Sequence, residues 1–234
     1  VIARFVLAVL AAVLLTGCGT AERNPAPEID VVVTLGDSLT EGYLASQGQR
    51  YPDQLGRALA PVRVVEAGSN GNRLLTDSPR FGDSALARFD RDVLGLPGVD
   101  AVVVLIGTND IGLAGDVGPD GVRTAPVTAE QLVEGYRALI DRAHAAKVRV
   151  IGATLPPFGG SPYDAPHREQ LRTQVNDWIR TGGGFDAVVD LDRALAAPTD
   201  TTRLAERFDS GDHLHPNDSG HQEMAAVIAE ADVL

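Results

Sequence analysis

Residues 29–42 read IDVVVTLGDSLTEG. A β-branched, mostly apolar run from Ile29 to Leu35 stops at Gly36 and gives way to the polar turn Asp37-Ser38. Such a run predicts a strand buried on both faces, as in a parallel sheet covered by helices. The pattern recurs at Val62–Ala67 (VRVVEA, closed by Gly68), Val148–Ala153 and the short Ala187–Asp190. Ala101–Ile106 (AVVVLI) is the most apolar run and is expected at the centre of the sheet.

Helical periodicity fills the intervals. Tyr51–Ala60 is stopped by Pro61, and Ser84–Leu94 places Leu86, Phe89 and Val93 on one face. Thr128–Ala146 opens with Thr128 and, three residues on, Gln131, the pattern of a capping box. His167–Arg180 ends at the glycine run Gly182–Gly184, and Asn217–Ala231 closes the chain with Met224, Val227 and Ile228 turned inward. Strands alternating with helices predict a three-layer α/β/α sandwich on a five-stranded parallel sheet with right-handed crossovers.

Composition narrows the function classes. The chain has 234 residues, of which 44% are hydrophobic, and 20 Lys+Arg against 32 Asp+Glu give a net charge of −12. An acid excess of this size argues against gripping phosphate backbones or anionic membranes, so no nucleic-acid partner is expected. One Cys makes neither an internal disulfide nor a multi-thiolate zinc site.

The leading residues read as an address. Arg4 precedes an unbroken apolar run, Phe5–Leu15, short of the roughly 18 to 20 residues that span a bilayer but suited to a secretory signal. Gly19–Glu28, with Asn24-Pro25-Ala26-Pro27, reads as a tether. The expected organisation is a leader over 1–18, a linker over 19–28 and one domain over 29–234. A buried N-terminal segment with an incidental Cys is the alternative.

Ligands of open α/β sheets collect beyond the C-terminal strand ends, and the chemistry-bearing residues lie there. Ser38 sits on a tight strand-to-helix turn, where helix N–H groups favour developing negative charge; plain capping by Asp37 and Ser38 fits equally well. The second strand ends in Gly68-Ser69-Asn70-Gly71-Asn72-Arg73, either a simple turn or a source of an unshielded N–H. The third ends in Gly107-Thr108-Asn109-Asp110, whose Asn109 amide can donate to an oxyanion or cap the following loop.

Just before the last helix stands Asp209-Ser210-Gly211-Asp212-His213-Leu214-His215-Pro216. A serine hydroxyl needs a base to remove its proton, and an imidazole oriented by a carboxylate supplies one. Asp212 and His215, three apart, can meet within one loop. His213 competes for the base role, but adjacent residues pair awkwardly, so His215 is preferred. His221 is expected on a helix face, and His144 and His167 on helical surfaces. The pieces require no metal and no cofactor.

In this order, the pieces resemble the SGNH, or GDSL-type, hydrolase family of esterases and lipases, over Ile29–Leu234. Gly36-Asp37-Ser38-Leu39, Gly71, Asn109 and Asp212-x-x-His215 are similar to its conserved blocks. The resemblance implies a flavodoxin-like fold. It implies Ser38 as nucleophile, His215 as base and Asp212 as its orienting acid. The implied oxyanion hole is built from Ser38, Gly71 and Asn109. Asn70 departs from the Ser or Gly common before the donor glycine, which leaves Gly68 open beside Gly71.

Leu15-Thr16-Gly17-Cys18 resembles a bacterial lipoprotein cleavage box, implying lipidation at Cys18 and export to the outer face of the cell membrane, or secretion. Thr154–Gly160 and Ser210–Asp218 resemble a secreted subgroup with relatives linked to xylan-degrading esterases. The implied activity is hydrolysis of short-acyl esters, carbohydrate esters among them, by a monomer. The alternatives are lysophospholipase or lipase activity, or a binding lipoprotein on a hydrolase fold. Pocket shape is expected to come from the loops Gly112–Pro126 and Phe158–Pro166, where Phe158 and Tyr163 either meet substrate or pack against the protein.

Overall fold

The computed structural model describes residues 29–119 and 121–231. In chain order these form β1 (Val31–Gly36), α1 (Ser38–Glu41), α2 (Tyr51–Ala58), β2 (Arg63–Gly68), α3 (Ala85–Phe89) and β3 (Ala101–Leu105). There follow α4 (Thr108–Gly112), α5 (Ala129–Ala145), β4 (Arg149–Ala153), α6 (Pro166–Thr181) and β5 (Ala187–Val189). The chain continues through α7 (Leu191–Leu195), β6 (Ala196–Ala197) and β7 (Asp200–Leu204) to α8 (Asp218–Glu230). The expected leader, Cys18 and the tether lie outside the described residues.

The central sheet has the order β2-β1-β3-β4-β5, all parallel. Every residue of β1 and β3 is buried, as their unbroken apolar sequences require. On one face α8 packs against α2 and α7; on the other α5 packs against α3 and α6. The five-stranded sandwich is the fold the sequence predicts. In this strand order the chain reverses direction across the sheet between β1 and β3, which opens a crevice at their C-terminal ends. Gly36 pairs with Gly68 on one side and Leu105 on the other. The three strand ends are therefore level, and the loops after them share one edge.

Local chemistry explains the helix ends. Thr128 accepts from the Gln131 N–H while the Gln131 side chain accepts from the Thr128 N–H, closing the predicted capping box. The expected helix over 84–94 is broken: Ser84 caps one α-helical turn, and Asp90–Leu94 continues as a π-helical turn. The wider turn keeps Phe89 and Val93 in the core but leaves Leu86 only partly covered. The helix from Tyr51 ends at Ala58 rather than Ala60, and Val227 is half-buried while Met224 and Ile228 are fully enclosed. The antiparallel pair β6–β7 and the single-turn helix α7 carry too few residues for a periodic signal. The Gly159 N–H donates to the Thr202 carbonyl at 2.7 Å, tying the pair to the segment after β4.

Candidate active site

β1 delivers Ser38 through a turn that only glycine permits. A Cβ on Gly36 would lie 2.0 Å from Thr40 Oγ1 and 2.5 Å from the Leu105 carbonyl. Asp37 then caps α1, its Oδ1 accepting from the Leu39 N–H at 3.0 Å. Because α1 is a single turn of four residues, it offers local N–H groups rather than the aligned dipole of a long helix. Ser38 is nearly buried.

The loop before α8 brings the second partner. The Ser38 hydroxyl lies 2.9 Å from His215 Nε2, across 177 residues of sequence. His215 Nδ1 lies 2.6 Å from Asp212 Oδ2. A carboxylate at that distance holds the proton on Nδ1, leaving Nε2 free to accept from Ser38. Asp212 is itself fixed: Oδ1 accepts from the His215 N–H at 2.8 Å, the Leu214 N–H at 2.9 Å and the Ser210 hydroxyl at 3.1 Å. Burial raises the Asp212 pKa, but these donors and the adjacent imidazole outweigh it and hold the group below the usual carboxylate value. Asn217 secures the exit into α8, accepting from the Gly220 N–H at 3.0 Å and donating to the Asp209 carbonyl at 3.0 Å.

His213 is the residue that does not join. Its Nδ1 pairs with Asp209 Oδ2 at 2.5 Å on the solvent side of the loop. His144 pairs with Asp186 at the surface and His167 is exposed on α6. His221 lies on a face of α8 as expected, the face turned inward: it is fully enclosed between α8 and α2, where Nδ1 accepts from the Tyr51 N–H at 3.3 Å. Burial pushes its pKa down to about 4.

The second strand end supplies two glycines with different duties. The Gly68 N–H donates to Glu66 Oε1 at 2.5 Å, and a Cβ there would meet the Glu41 backbone nitrogen at 2.3 Å. Gly68 is thus a packing glycine under α1. Gly71 adopts φ +72°, and a Cβ would strike the Phe81 ring at 2.4 Å.

Asn109 follows β3 and is held on three sides. Its Nδ2 donates to the Asn72 carbonyl at 3.0 Å and to Asp37 Oδ2 at 3.3 Å. Its Oδ1 accepts from the Tyr163 hydroxyl at 2.8 Å. Asp110 turns the other way and accepts from the Leu74 and Leu75 N–H groups at 2.7 and 3.0 Å. Burial raises the pKa of Asp37 to about 7 and of Asp110 to about 6.

Sequence reasoning missed one support, Arg88, and left the role of a second open. Arg88 of α3, buried, donates to the Gly36 carbonyl at 2.8 Å, the Ala67 carbonyl at 2.8 Å and Asn72 Oδ1 at 3.0 Å. One guanidinium thereby binds the ends of β1 and β2 to the loop that meets Asn109. Tyr163 is the other; Phe158, by contrast, is enclosed in the core edge-on to Tyr163 at 6.4 Å. Among the described residues, no group of three His, Cys, Asp or Glu side chains is placed to hold a metal ion.

Comparison with known proteins bears on the fold. Among curated proteins no sequence matches significantly. A protein placed in the G-D-S-L lipolytic family from Desulfitobacterium hafniense DCB-2 superposes with a TM-score of 0.68 at 20% identity, over 86% of this chain and 99% of that one. The aryl esterase of M. smegmatis gives 0.66 at 17%, over 88% and 100%. A GDSL-like lipase from Bacteroides thetaiotaomicron VPI-5482 gives 0.63 at 19%, over 86% and 87%. At such identities the likeness speaks for the fold. The family model described as the GDSL-like lipase/acylhydrolase family matches residues 34–223, from within β1 into α8, and the chain belongs to that family.

Proposed function

We propose that this chain is a serine esterase acting through an acyl-enzyme. The observation that carries the reading is the continuous line Ser38 Oγ–His215 Nε2 at 2.9 Å and His215 Nδ1–Asp212 Oδ2 at 2.6 Å. Ser38 Oγ attacks the ester carbonyl carbon as its proton passes to His215 Nε2. Asp212 steadies the imidazolium. The tetrahedral adduct collapses, the alcohol oxygen leaves with the proton from Nε2, and the acyl group stays on Ser38. Water, deprotonated by His215, then attacks the acyl carbon; Ser38 regains its proton and the carboxylic acid departs.

The oxyanion is held by the Ser38 and Gly71 N–H groups and by Asn109. The Gly68 N–H is engaged by Glu66, which favours Gly71 as the second donor. For Asn109, the hydrogen directed at Asp37 over 3.3 Å is the longer bond, so it is the one a developing oxyanion can capture.

Short acyl esters fit a nucleophile this enclosed, and carbohydrate esters belong to the same reading. Cleavage before Cys18, lipidation there, export and a monomeric state complete it. Ser38→Ala should abolish hydrolysis of p-nitrophenyl acetate, and a serine-directed phosphonate should label the parent chain at Ser38. Wild-type turnover by Ser38→Ala would end the proposal.

A further inference from the structure

The segment after α1 carries an apolar pair that the fold itself does not use. Tyr43 is 46% exposed and Leu44 52% exposed, in adjacent positions. Leu44 holds φ +67°, a left-handed conformation that costs a branched side chain roughly 1–2 kcal/mol and that Gly or Asn adopts far more readily. Packing offsets little of this cost, since about half of Leu44 stands in solvent and it does not join the core.

The segment is nevertheless fixed. The Tyr43 N–H donates to the Ser38 carbonyl at 3.0 Å and the Ser46 N–H to Asp218 Oδ1 at 2.7 Å. The Arg50 side chain lies over Gly42, leaving no room for a Cβ there. Tyr43 stands edge-on to the His215 ring, with centroids 4.8 Å apart and planes at 61°. A rigid, strained and exposed apolar pair therefore borders the candidate base.

Position decides which half of an ester would meet it. His215 Nε2 hands its proton to the leaving oxygen, so the alcohol departs on the imidazole side. Asn109 and Gly71, which hold the carbonyl oxygen, belong to the other strand ends. We propose that Tyr43 and Leu44 form the alcohol-side subsite of this enzyme and select alcohols that carry a flat apolar ring. This rests on the esterase reading above. An aromatic ring or the C–H face of a sugar offers the same chemistry, contact across Tyr43 and against Leu44.

The test compares three acetates: ethyl acetate, benzyl acetate, whose alcohol has similar leaving ability but carries a ring, and an O-acetylated methyl xyloside. Tyr43→Ala should lower kcat/KM about tenfold more on a ring-bearing acetate than on ethyl acetate, chiefly through KM. Tyr43→Phe, which keeps the ring, should retain the preference. Leu44→Gly should weaken it too without lowering the melting temperature, because glycine accepts φ +67°. Selective loss on the benzyl ester identifies an aromatic alcohol, and on the xyloside a sugar; either supports the subsite. Equal losses on all three acetates would overturn it and leave Tyr43 as a prop for His215. Losses that track acyl length in a p-nitrophenyl series would overturn it by placing the pair on the acyl side. A wild-type chain that cleaves no ester would instead sink the esterase reading, and the subsite with it.

Discussion

The Tyr163 hydroxyl donates to Oδ1 of Asn109 at 2.8 Å, which settles how that amide is turned. With Oδ1 facing the tyrosine, the NH2 group faces Asp37 and the turn that carries Ser38. Burial lifts the Tyr163 pKa to about 12, so the hydroxyl keeps its proton and remains a donor across the working pH range. Under the proposed mechanism, Tyr163 acts on the oxyanion site through Asn109.

Removing the hydroxyl should loosen the amide without emptying the site. Tyr163→Phe is expected to lower kcat on p-nitrophenyl acetate about fivefold with little change in KM, in line with roughly 1 kcal/mol for one hydrogen bond. Asn109→Ala should lower kcat by about 100-fold or more. In the double variant the two losses should not multiply, since the tyrosine has nothing left to orient. Multiplying losses would show that Tyr163 acts independently.

Arg88 should matter to stability and activity together. Arg88→Met removes the charged donor from the Gly36 and Ala67 carbonyls and from the Asn72 side chain, leaving Gly36 only the Ser69 N–H at 3.1 Å. A loss of roughly 3 kcal/mol is expected in urea unfolding. Arg88→Lys should recover little, because one ammonium cannot span three acceptors set for a planar fork.

The buried titrating groups pull stability in opposite directions with pH. His221 has its folded pKa near 4, below the unfolded value near 6.5. The unfolded chain binds the proton first, so the contribution of His221 is complete above about pH 6.5 and is lost as pH falls toward 4, by roughly 3 kcal/mol. Asp37 and Asp110, raised to about 7 and about 6, are costly as anions above those values. That cost is relieved as pH falls toward their unfolded values near 4. Thermal melts from pH 4 to 7 should show His221→Asn gaining stability relative to wild type on the acid side. A constant difference across that range would contradict the assignment.

Gly71 should tolerate no side chain. Gly71→Ala forces a Cβ into the Phe81 ring at 2.4 Å while keeping φ +72°. Both activity and melting temperature should fall. Pairing it with Phe81→Ala should restore the melting temperature in part but not the backbone conformation, and kcat should stay depressed.

The sequence made the sheet legible because buried parallel strands are written as continuous apolar runs, as in β1 and β3. It made the Ser38, Asp212 and His215 pieces legible because their spacing is local to one turn and one loop. Arg88, Tyr43 and the partner of Tyr163 were not legible for a common reason. Each acts through a partner far away in sequence, and periodicity reports which face a residue occupies but not what it meets there. His221 shows the same limit: the sequence puts it on a helix face but does not say that α2 lies across that face. The π-helical turn after Phe89 escaped because one widened turn leaves the apolar spacing nearly intact.

The bond from the Ser46 N–H to Asp218 joins the opening of this fold to its closing helix, beside the contact of α2 with α8. A chain that ends after β5 holds all five strands of the central sheet yet lacks His215. Under the proposed mechanism, hydrolytic competence thus waits for the loop ahead of α8, and a copy cut short before it has no base for Ser38.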